Sequence, residues 1–193
     1  MDPVFTLQWP EFLLAERLHR HFPKSKHFSV LIPASRQEKG IDLALVHKSP
    51  GGSSRVALLQ VKSSRTYTRE PPKRRTTRRF QFETWFQTFE PSDHADFFLL
   101  IGLFAPDSAQ TERIGPRWYR DVTLLFTFCE MKDFIDSCRT VRGKGKPDGK
   151  FGFGFDDERR IVQTRGDPLR GEKDFTPWLL DNRWEMLKKH FEA

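Results

Sequence analysis

The amino-acid sequence predicts a single α/β domain in which a central mixed β-sheet is flanked by helices. Three observations lead there. Residues 9–22 carry helical periodicity, strand-like segments between 28 and 62 are separated by glycine and proline, and two strand-length apolar runs follow at 96–104 and 122–128. With 193 residues, 37 % of them hydrophobic and 31 % charged, the chain is long enough for one buried core and too apolar for wholesale disorder. The expected core spans about 9–140. A C-terminal extension then holds a flexible stretch at 142–154 and a terminal helix at about 177–191.

The elements follow in order. Trp9 to Phe22 reads as a helix opened by Pro10, which suits the first helical position, and Pro23 closes it. Phe28 to Ile32 is a short apolar strand. Gly40 to His47 and Arg55 to Lys62 are two more, joined by the hairpin-like Lys48-Ser-Pro-Gly-Gly-Ser-Ser54. Phe80 to Phe89 is aromatic and ambiguous between strand and helix. Asp96 to Phe104 is apolar almost throughout, as in a strand buried on both faces. Val122 to Phe128 repeats that pattern, and Glu130 to Cys138 reads as a short helix. Phe151, Phe153 and Phe155 alternate with glycine and read as an edge strand. Leu180, Trp184, Leu187 and Phe191 form a helical stripe at the C-terminus.

Charge is distributed unevenly. The net value is +7, yet the segment from Arg65 to Arg79 holds seven cations (Arg65, Arg69, Lys73, Arg74, Arg75, Arg78 and Arg79) against one anion, Glu70. A surplus confined in this way is the footprint of a polyanionic partner, although a solvated loop has the same composition. No run reaches the roughly 18 apolar residues of a membrane span. The start, Met-Asp-Pro, is not followed by a basic-then-apolar leader, and Cys129 and Cys138 read as free thiols in a reducing compartment. A cytoplasmic location is therefore expected.

Four residues are expected to meet. At about 100° per residue, Glu11 falls in the centre of the stripe made by Leu14, Ala15, Leu18 and Phe22, whereas Glu16 lies about 140° away. A carboxylate facing the protein needs a cation or a metal, although a glutamate in a first turn also suits the helix dipole. Antiparallel pairing about Gly51 puts Asp42 across from Gln60, on the face that also carries Lys62, with Ala57, Leu59 and Val61 on the reverse. A one-residue slip would turn Asp42 away.

Glu11, then Gly40-Ile41-Asp42, then Gln60-Val61-Lys62-Ser63, resembles the PD-(D/E)XK nuclease superfamily, in its restriction-endonuclease-like and Holliday-junction-resolvase-like branch. The resemblance covers roughly residues 9–65. Ile41 replaces the proline that names the motif, and Gln60 stands where an acid is commoner, so this is a Gln-x-Lys variant. The resemblance implies a restriction-endonuclease-like core and an endonuclease that hydrolyses phosphodiester bonds with Mg²⁺ or Mn²⁺. Its catalytic set would be Glu11, Asp42, Gln60 and Lys62. Asp42, Gln60, the Val61 carbonyl and Glu11 would serve the metal, which prefers oxygen donors, while Lys62 would orient the attacking water and offset phosphate charge. The cations from Arg65 onward would hold the phosphate backbone, of DNA rather than RNA. A homodimer is compatible, since a two-fold pair reaches both strands.

A rival reading keeps the fold and the nucleic acid but not catalysis, because Gln60 adds no negative charge. A basic protein–protein adaptor is a third. His19 and His21 diverge on their helix and read as surface residues, and His94 with Asp93 and Asp96 reads as a turn. Gly143 to Gly154 lacks the Gly-Lys-Ser/Thr ending of a phosphate loop.

Overall fold

The structure, a computed structural model, describes residues 9–33, 40–68, 80, 82–104, 120–139, 149–155, 160–166 and 173–192. Helix α1, Trp9–His21, leads into a meander of β1 (Phe28–Leu31), β2 (Leu43–Lys48) and β3 (Ser54–Thr68). β4 (Phe82–Gln87), β5 (Phe97–Phe104) and β6 (Arg120–Thr127) precede helix α2, Phe128–Arg139. β7 (Lys150–Phe155), β8 (Ile161–Arg165) and a terminal helix α3 (Trp184–Lys189) complete the chain. No described helix is long and apolar enough to cross a membrane.

The fold is a mixed α/β structure built on a large, mostly antiparallel sheet. β1, β2 and β3 pair antiparallel, β5 joins β3 in parallel, and β6 pairs antiparallel with β5. β3 is unusually long at 15 residues because it serves two neighbourhoods. Its residues Ser54 to Leu59 pair with β2, and Leu59 to Arg65 pair with β5. Its last residues, Thr66 to Thr68, pair with β4, which continues antiparallel to β7 and on to β8.

Alternation along the strands then decides the packing. Leu59, Val61, Leu99, Ile101 and Leu125 face α1 and the C-terminal helix, meeting Leu14, Leu18, Leu180 and Leu187. Phe98, Leu100, Leu124 and Phe126 point the other way, onto Phe82 and Phe86 of β4, Phe151, Phe153 and Phe155 of β7, and Phe134 of α2. The β5 run is therefore buried on both faces, as its composition implies. The start of α2 is a capping box: Thr127 Oγ1 accepts from the Glu130 amide, and the Glu130 carboxylate accepts from the Thr127 amide at 2.8 Å.

Four expectations are changed or resolved. The stretch 142–154 is not a uniform excursion, because Lys150–Phe155 is β7; residues 142–148 lie outside the described residues. Nor is β7 an edge strand, since it pairs with β4 on one side and β8 on the other. Glycines at 152 and 154 make that possible: a Cβ on Gly152 would lie 2.3 Å from Trp85 Cδ1, and one on Gly154 would lie 2.7 Å from the Phe80 ring. The C-terminal helix is shorter than 177–191. Two 3-10 turns, Thr176–Trp178 and Leu180–Asn182, precede α3, because Leu179 is extended and bridges to Leu124 of β6. The ambiguity over Phe80 to Phe89 resolves in favour of a strand, β4, which covers Phe82–Gln87.

Candidate active site

The β2–β3 hairpin has the register that pairing about Gly51 requires, from Lys48 with Ser54 to Leu43 with Leu59. Gly52 supplies the left-handed turn at φ 86°. Asp42 stands just past the last pair, where the chain bends away. Its amide donates to the Leu59 carbonyl at 2.9 Å, and its Oδ2 accepts from the Val61 amide at 2.7 Å. Asp42 thus grips β3 on either side of Gln60.

Amides along β3 point alternately to opposite edges. The Leu58 amide points toward β5 and donates to Asp96 Oδ2 at 2.8 Å. The Val61 amide points the other way, to the edge that β2 has left, and the Asp42 carboxylate replaces the missing ladder acceptor. In an extended strand the carbonyl of a residue shares the edge of its amide, so the Val61 carbonyl also faces this opening. Asp42 Oδ1 has no hydrogen bond among the described residues.

Gln60 and Lys62 leave the strand on the face opposite Leu59 and Val61. Gln60 is 6 % exposed, and its Oε1 is buried without a hydrogen bond among the described residues. Gly40, at φ 85°, lets the neighbouring loop close over it: a Cβ there would lie 2.4 Å from Ser92 Cβ and 3.3 Å from Gln60 Nε2. Lys62 is half-buried, and its ammonium lies 5.2 Å from the centre of the Phe89 ring, a cation–π contact that restricts the side chain.

Glu11 is also buried, on the stripe with Leu14 and Leu18, while Glu16 is exposed. Helix α1 packs on the face of β3 that carries Leu59 and Val61. Asp42 is not the ladder partner of Gln60 that the register predicts, because pairing ends at Leu43–Leu59. It bonds instead to the residues flanking Gln60, while Glu11 comes from the helix covering the face opposite Gln60 and Lys62. Among the described residues no group of three or more His, Cys, Asp and Glu side chains is placed to hold a metal. That chemistry would draw on the amide oxygen of Gln60 and the carbonyl of Val61, which are neither.

Of the basic segment, Arg65 is exposed on β3, and Arg69, Lys73, Arg74, Arg75, Arg78 and Arg79 lie outside the described residues. Ser92, Phe89 and Asp96 belong to the surroundings of the site and carried no motif of their own. Asp96 follows a turn, as expected, but its carboxylate has a definite task in holding Leu58. His94 and Asp93 are exposed and 3.7 Å apart. His19 and His21 are both exposed, and His21 stacks on Trp184 at 3.8 Å. Comparison with family models, curated proteins and solved structures returns no match for this chain.

Proposed function

We propose that the protein is a metal-dependent endonuclease with a restriction-endonuclease-like core, hydrolysing phosphodiester bonds in DNA. The observation that carries this reading is the buried Oε1 of Gln60, which has no hydrogen-bond partner among the described residues and belongs to the residue between the two backbone positions that Asp42 grips. A buried amide oxygen without a donor costs about 1–3 kcal/mol, and a hard cation relieves that cost. Asp42 Oδ1, Gln60 Oε1 and the Val61 carbonyl form a donor set of the kind Mg²⁺ takes. Bound there, Mg²⁺ would supply the positive charge that a scissile phosphate requires. Lys62, steadied on Phe89, offsets phosphate charge and orients water. The exposed Arg65 further along β3 contacts the phosphate backbone, as do the cations that follow it in sequence.

The second reading is a nucleic-acid-binding module without catalysis. It is favoured by the neutrality of Gln60 and by the structural engagement of one Asp42 oxygen. Cleavage assays on duplex, single-stranded and branched DNA and on RNA, with Mg²⁺ or Mn²⁺, separate the two. The endonuclease cuts at least one substrate, and both Asp42→Ala and Lys62→Ala abolish cutting. A wild type that cuts nothing, and shows no Asp42-dependent metal site by calorimetry, is the binding module.

A further inference from the structure

The part of the sheet formed by the end of β3 with β4, β7 and β8 has an inner face filled by phenylalanine and an outer face of different character. The pairs Phe82–Phe155, Thr84–Phe153 and Phe86–Phe151 face inward, so their neighbours Tyr67–Glu83 and Trp85–Gly152 face outward. The Trp85 indole lies across Gly152, close enough that a side chain there would collide with it. On its other flank the Tyr67 ring stands 5.2 Å away, tilted by 30°, and Tyr67 is 49 % exposed. One position along β3 from the Thr66–Thr84 pair is Arg65, exposed, and across Gly152 on β8 is Arg165. Trp85 thus has Arg65 beside it on β3 and, one strand beyond Gly152, the half-buried Arg165 on β8. The acid on this face, Glu83, is 6 % exposed and is not presented to solvent.

We propose that this outer face is a stacking platform for the unpaired bases of a single-stranded nucleic acid. The proposal rests on the nucleic-acid part of the function above and not on cleavage. An exposed tyrosine ring adjoining a half-buried tryptophan, beside guanidinium groups, matches what unpaired bases and their phosphates require. Bases within a duplex are already stacked and offer only their edges to a protein. The sequence that follows β3 is also cationic. The segment 69–79, which connects β3 to β4 directly beyond Tyr67, carries six cations and one anion.

The test is fluorescence anisotropy with end-labelled oligonucleotides about 20 nucleotides long, enough to span such a groove. Oligo-dT, oligo-rU and a DNA duplex of equal length are compared at one salt concentration, with EDTA present so that nothing is cut. Tighter binding of a single strand than of the duplex is expected. Tyr67→Leu should weaken single-strand binding roughly ten-fold, the scale of one base–aromatic stack, and Tyr67→Phe should restore it. Duplex binding should not respond to either change. Single-strand binding that Tyr67→Leu leaves intact overturns the platform while sparing the nuclease reading. Failure to bind any oligonucleotide overturns both, and loss of cleavage alone in Asp42→Ala leaves the platform standing.

Discussion

The Asp42 carboxylate and the Val61 amide are joined across 2.7 Å at the point where β2 ends and β3 continues. Asp96 does the same for Leu58 on the opposite edge of the strand, at 2.8 Å. Two aspartates therefore stand in for backbone carbonyls on the two sides of β3, within four residues of each other along it. One of them lies in the candidate active site, so stability and activity are coupled there and can be separated by choice of substitution.

Asp42→Ala removes the acceptor of the Val61 amide and should lower stability by about 1–3 kcal/mol. Asp42→Asn keeps an oxygen in place and should cost about 1 kcal/mol or less, the difference being the charge assistance of the bond. Urea unfolding measures both. Cleavage should be lost in both variants alike, because the carboxylate charge, and not the hydrogen bond, serves the proposed reaction.

Glu130 gives stability a definite pH dependence. Burial pushes its carboxyl upward, but the Arg183 guanidinium and the Thr127 amide and hydroxyl outweigh that and hold it below its usual value of 4.5. A carboxyl with a lowered folded value stabilises the protein above its unfolded value and loses that contribution as pH falls through the folded one. Glu130→Gln should therefore be less stable than the wild type at neutral pH, by about 1–3 kcal/mol. The two melting curves should converge below pH 4.5. Parallel curves across the acid range would remove Glu130 from the acid transition.

Arg17 ties α1 to the sheet and to the C-terminal turns. Its guanidinium reaches Asp121 at 2.6 Å, Thr123 at 3.2 Å and Asp181 at 2.5 Å. Arg17→Ala leaves the largely buried Asp121 without its cation and should cost about 2–4 kcal/mol. Combining Arg17→Met with Asp121→Leu should recover part of that loss, as apolar replacement of a desolvated pair does. Chemical denaturation of the single and double variants provides the cycle.

Gly152→Ala tests the packing of β7 against β4. The new Cβ would meet Trp85 Cδ1 at 2.3 Å and the Thr84 carbonyl at 2.9 Å, so backbone must shift. A loss of about 1–3 kcal/mol is expected from such overpacking. Gly51→Ala, with no atom within 4 Å of its Cβ, should change stability by no more than about 0.5 kcal/mol. Equal melting temperatures for the two variants would contradict the close approach at Gly152.

Local pattern decided a good deal of this protein. The Ser-Pro-Gly-Gly-Ser turn and the alternation beside it determine the β2–β3 register, because a turn and its flanking strands are neighbours in sequence. Helical phase alone buries Glu11 and exposes Glu16, and the apolar run at 97–104 forms a strand wherever it is placed. Tertiary structure decided what those faces meet. Phe-Gly-Phe-Gly-Phe alternates identically whether β7 lies at an edge or inside a sheet, and only the non-local pairing with β4 and β8 places it inside. The helical stripe at the C-terminus could not disclose that Leu179, just ahead of it and within the expected helix, would bridge to β6. Periodicity likewise orients Glu11 inward on its helix, and Gln60 with Lys62 to one side of their strand, but carries no information on which side of that strand the helix docks. That choice belongs to the core: α1 covers the Leu59 and Val61 side because burying that apolar surface outweighs any preference of the polar groups.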